Sequence, residues 1–126
     1  MAAHTRAYDQ SHPWAAASRA DRRREHELAA GLKYVPADIA VLRMRQSDHC
    51  GYCEVALDGG GHVDHMTPIS RGGTHDILNL VLACFQCNTE KHAKTAGEYF
   101  LWRITHGMTV SGYAYELWLK VQRAQT

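Results

Sequence analysis

No stretch of the chain approaches the roughly 18 consecutive apolar residues that a membrane-spanning helix needs. The opening residues carry no apolar core of the kind that marks a secretory signal, so the expectation is a cytoplasmic protein with no membrane partner. Internal repeats and low-complexity runs are missing too, and nothing points to a solenoid or a long disordered tract. Net charge is almost absent: 14 Lys and Arg against 13 Asp and Glu leave +1 with His neutral. A global argument for nucleic-acid binding is thereby removed, and any such argument must rest on local clusters. Cysteine is absent outside one stretch, since all 4 residues fall between positions 50 and 87.

What is present is ordinary globular material. A chain of 126 residues, 45% hydrophobic and 21% charged, holds one compact core with an appended arm. Residues 1 to about 16, including Ser11-His12-Pro13-Trp14, show no sustained period and read as an arm. Ala17 to Leu32 favour helix by composition, but with Leu28 and Leu32 as the only large apolar residues the helix is mostly solvated or lies on a partner. Its Arg19, Arg22, Arg23 and Arg24 are offset by Asp21, Glu25 and Glu27. Residues 1–33 form this arm and helix, and 34–126 the main domain.

Within that domain Pro36 opens a short amphipathic helix that stops near Ser47. Val55 to Leu57 and His62 to His65 flank Asp58-Gly59-Gly60-Gly61, a turn-rich linker that predicts a β-hairpin. Thr67-Pro68 and Arg71-Gly72-Gly73-Thr74 predict a loop, and a helical segment is expected from about Asp76 to Asn79 and on through Leu80 and Leu82. Thr95-Ala96-Gly97-Glu98 fits a capping box for a helix ending at Gly107, and Ser111 can cap a last helix carrying Ala114, Leu117, Trp118 and Val121. Tyr99, Trp102 and Trp118 lie on the faces these helices must bury, so core packing is preferred over base stacking.

The cysteines form two Cys-x-x-Cys pairs, Cys50 with Cys53 and Cys84 with Cys87. A two-residue spacer lets both sulfurs of a pair converge on one ion, and two pairs complete a closed, structural Zn²⁺ tetrahedron. The link between the pairs, residues 54–83, leaves room for further elements. Within it stand Asp64 and His65, and directly after the second pair comes Asn88. An imidazole that titrates near neutrality suits a general base, while a carboxylate and an amide oxygen suit Mg²⁺ or Mn²⁺. Strand alternation would send Asp64 and His65 to opposite faces, so their convergence requires the ladder to break there, and Pro68 favours such a break.

The run His62-Val63-Asp64-His65-Met66-Thr67-Pro68-Ile69-Ser70-Arg71-Gly72-Gly73-Thr74, then Asn79-Leu80, then Cys84-Phe85-Gln86-Cys87-Asn88-Thr89-Glu90-Lys91, resembles the HNH endonuclease family in its four-cysteine form. The third letter departs, making an H-N-N variant. The resemblance implies an α+β fold with a ββα-metal (His-Me finger) core, stabilised by the zinc site and flanked by N- and C-terminal helices. It also implies metal-dependent hydrolysis of DNA to 5′ phosphate and 3′ hydroxyl ends. In that scheme His65 is the base, Asp64 and Asn88 hold the catalytic cation, and Asn79 orients the loop that aims His65. Arg71 and Lys91 are candidate phosphate contacts. His62, His75 and His92 lie close in sequence to this set and receive no assigned role. Similar small nucleases are common in bacteriophages, beside the packaging terminase, and in bacterial defence systems. A non-catalytic zinc module and an accessory nuclease subunit of a larger complex remain open.

Overall fold

The computed structural model describes residues 13–124, so positions 1–12 of the expected arm lie outside the described residues. Helix α1 (Pro13–Ala29) begins at Pro13 rather than Ala17, with proline in the first turn, where its missing N–H is not needed. It is mostly solvated, as its sparse apolar content requires, and Leu28 and Leu32 stay exposed. Helix α2 (Pro36–Arg45) starts where Pro36 predicts, and the Asp38 carboxylate accepts from the Val35 N–H at 2.9 Å.

Strand β1 (His62–His65) pairs antiparallel with β2 (Leu80–Ala83), in the register His62 with Ala83 and His65 with Leu80. This corrects two expectations. The partner of β1 is not Val55–Leu57, of which only Ala56 forms a bridge, with His49. Nor is the segment through Leu80 and Leu82 helical: Asp76 caps a single 3₁₀ turn, Ile77–Asn79, and the chain then extends. All four β2 residues are buried. A short strand covered on both faces reads as a continuous apolar run, which periodicity cannot tell from helix.

The pleat divides the core in two. Leu80 and Leu82, with Val63 opposite, meet Leu42 and Ile39 of α2. Val81 and Ala83 face the larger cluster of Cys50, Tyr52, Met66, Cys87, Tyr99 and Phe100. Helix α3 (Phe85–Lys91) follows β2 directly, then come α4 (Ala96–Thr105) and α5 (Gly112–Ala124). The Thr95–Glu98 capping box forms, with both reciprocal bonds present. Tyr99 is fully buried, and Trp102 and Trp118 pack against the same cluster, the core role preferred for that aromatic stripe. At Gly97 an added Cβ would come within 2.9 Å of the Trp118 ring, so glycine sets how closely α4 and α5 approach.

Candidate active site and metal centre

The four cysteine sulfurs lie within 4.8 Å of one another, with Cys53 and Cys84 Sγ 3.7 Å apart. Cys84 is also the N-cap of α3, its sulfur accepting from the Cys87 N–H at 3.4 Å. Backbone N–H groups of Tyr52 and Cys84 point at the Cys50 sulfur at 3.4 and 3.3 Å. A hydrogen bond from Cys87 together with these donors draws the Cys50 thiol down to about 4, whereas burial pushes Cys53 up to about 11. Arg103, buried, donates to the Cys87 sulfur at 3.7 Å and places a cation beside the cluster. A tetrathiolate set of this size with N–H and guanidinium donors around it fits Zn²⁺.

Gln46 joins this centre to the sheet. Its amide nitrogen donates to the carbonyl of Leu82 at 2.9 Å and its oxygen accepts from the Leu82 N–H at 2.8 Å, while Gly51 N–H donates to the same carbonyl. The free edge of β2 is thus paired by a side chain and the first cysteine turn.

His65 ends β1 on the face shared with Leu80, half-buried. Its Nε2 lies 3.1 Å from Nδ1 of His75, and Nε2 of His75 lies 3.4 Å from the Glu27 carboxylate of α1. The Tyr34 ring packs against both imidazoles at 6.1 and 6.0 Å. Burial, reinforced by His75 and Lys91, pulls the His65 pKa down to about 4, so its ring is unprotonated at neutral pH.

Asn79 is buried behind the loop that follows β1. Its Oδ1 accepts from Thr67 N–H at 2.9 Å, and its Nδ2 donates to the carbonyls of Thr67 and Thr74 at 3.0 and 2.8 Å. One amide thereby clasps both ends of the Thr67–Thr74 loop.

Asp64 faces the other way. The ladder continues through His65, so no break brings the two side chains to one face. Asp64 is 6% exposed; the Tyr52 hydroxyl donates to its Oδ2 at 2.6 Å and the Lys91 ammonium sits 3.2 Å from its Oδ1. Lys91 also donates to the His65 carbonyl at 2.9 Å. Burial raises the Asp64 pKa despite Lys91, and burial lowers that of Lys91. Lys91 is 0% exposed, which corrects its assignment as a phosphate contact: the last turn of α3 packs its ammonium into the core. Asn88, one turn earlier on α3, is partly exposed.

Arg71 is at the surface but engaged, donating to the Glu98 carboxylate and to the Ala93 carbonyl. It borders a cleft of about 570 Å³ with His92, Lys94 and Trp102. Arg19, Arg22, Arg23 and His26 of α1 line a second groove against Ile69 and Ser70. Sequence reasoning assigned nothing to Gln46, Tyr52, His75, Glu27 or Arg103. Each acts through a contact distant along the chain, and none sits in a spacing that marks it.

Residues 50–94 match the family model described as HNH endonuclease. That stretch holds both strands, α3 and the four-cysteine cluster, an arrangement consistent with the ββα-metal core of that family. Neither the curated proteins nor the solved structures provide a match to the chain.

Proposed function

We propose, with the HNH endonuclease domain at residues 50–94 as premise, that this protein hydrolyses DNA phosphodiester bonds with His65 as general base. The observation that carries the reading is His65 itself. It is a half-buried imidazole held unprotonated above about pH 4, at the end of a strand whose following loop is clasped by Asn79. In that role His65 takes a proton from water, the hydroxide oxygen forms the new bond to phosphorus as the P–O3′ bond breaks, and the departing 3′ oxygen takes up a proton from solvent. Arginines of α1, in the groove beside Ile69 and Ser70, suit the phosphate backbone, which gives affinity without sequence preference.

Asp64 and Asn88 carry the hard oxygens that a catalytic cation takes. But Asp64 stands on the opposite face of β1 from His65 and both its oxygens are held by Tyr52 and Lys91, so the residues as folded do not form an open cation site. The commitment of Asp64 to Lys91 and Tyr52 favours a second reading, an accessory nuclease that engages only within a larger assembly such as a phage packaging complex.

Plasmid nicking by zinc-loaded protein tests both. Nicking that needs added Mg²⁺ or Mn²⁺ and falls by at least about 100-fold in His65→Ala is expected. Wild-type protein that nicks with no metal tried excludes the stand-alone nuclease, and a fully active His65→Ala excludes His65 as base.

A further inference from the structure

The mechanism above leaves a buried imidazole without a task. His75 lies in the loop after the glycine pair, its side chain 7% exposed, and its backbone N–H donates to the Ala30 carbonyl just beyond α1 at 3.0 Å. Both its ring nitrogens are engaged, Nδ1 by His65 and Nε2 by Glu27. A carboxylate only accepts, so the hydrogen-bond network assigns the proton of a neutral His75 to Nε2. Its Nδ1 then carries a lone pair, and the 3.1 Å contact requires His65 to donate from Nε2. The consequence falls on the far side of the His65 ring: with the proton on Nε2, Nδ1 is the acceptor.

We infer that His75 is a positioning residue, oriented by Glu27, that fixes the ring angle and tautomer of His65 and leaves His65 Nδ1 as the atom that takes the proton from water. This rests on the reading of His65 as general base. When Nδ1 gains that proton, the imidazolium still donates through Nε2 to His75, and the Glu27 carboxylate offsets part of the new charge through one intervening ring. Carboxylate–imidazole pairs that set the tautomer of a working histidine act in this way at metal sites, and their loss costs about 10–100-fold in affinity or activity. The arrangement also places α1, outside the family-matched segment, in the catalytic apparatus.

The test is long-range ¹⁵N–¹H NMR of the histidine rings in zinc-loaded full-length protein near neutral pH, paired with nicking kinetics. His65 protonated on Nε2 in wild type is expected, with a mixed tautomer in His75→Ala. Because Asn places a carbonyl oxygen near the Nδ1 position, His75→Asn should restore the Nε2 tautomer. Glu27 is exposed, and Glu27→Ala should shift the His75 tautomer without unfolding the chain. In kinetics His75→Ala should lower kcat about 10–100-fold with KM for DNA within about twofold, and His75→Asn should recover most of it. His65 protonated on Nδ1 in wild type, or an unchanged His65 tautomer in folded His75→Ala, would overturn the inference. Should His75→Ala fail to fold, an unchanged His75 ring in Glu27→Ala would do the same. Wild type inactive on DNA but with the expected ring states would count against the proposed function and leave the positioning intact.

Discussion

The Asp64–Lys91 pair illustrates what burial does to a single interaction. Each group alone would resist ionisation at this depth, and both pKa shifts run in that direction, with burial as the leading cause. Together, with Tyr52 and the His65 carbonyl taking the remaining bonds, they are satisfied, and no buried side-chain polar atom among the described residues lacks a partner. Removing one member leaves the other stranded. Lys91→Met is therefore expected to lower the stability of the zinc-loaded protein by about 3–5 kcal/mol in urea titrations at neutral pH. Asp64→Asn combined with Lys91→Met should cost less than Lys91→Met alone, because no uncompensated charge remains. Equal losses would show that packing of the lysine stem, rather than its charge, dominates.

At the scale of the element, the loop between β1 and β2 starts directly after His65, the proposed base. Its ends are held by Asn79, and its glycine pair allows a close backbone approach. A Cβ at Gly73 would lie 1.7 Å from the Thr67 carbonyl oxygen, the atom that Asn79 Nδ2 grips. Gly73→Ala must open the loop at that point. The expected outcome is a loss of about 1–3 kcal/mol in thermal unfolding, with a fall in nicking larger than the lost folded fraction explains. A wild-type melting curve for Gly73→Ala would mean that the loop adjusts freely and does not aim His65.

For the whole molecule, the four-cysteine centre ties regions remote in sequence to one another. Cys50 and Cys53 precede the sheet, while Cys84 and Cys87 begin α3 after it, and the larger core cluster includes both pairs. Binding of structural zinc in finger peptides is worth about 10–16 kcal/mol, more than the whole stability of a typical small domain. Stripping the metal with a strong chelator is thus expected to abolish the cooperative thermal transition and native near-UV circular dichroism, rather than inhibit a folded protein. Chain that kept both after zinc release would show that the cysteines are not the keystone of the fold.

Much of this was readable before any coordinates. The doubled cysteine spacing and the ordered run around Asp64-His65, Asn79 and Asn88 point to the domain and to its metal centre, because metal geometry and strand–turn punctuation are local and leave local marks. Pro36, Thr95 with Glu98, and Gly107 likewise fix helix ends, since caps act within one turn. The pairing of β1 with β2 was not legible, since Leu80–Ala83 has the uniform apolar character shared by buried strands and helices. Neither was the fate of Lys91, as a charge destined for burial looks like any surface lysine until its partner is known. Glu27, His75 and His65 stand far apart in the chain. Only the packing of α1 against the loop brings carboxylate and imidazoles into line, because hydrogen bonds depend on distance in space and sequence records only distance along the chain.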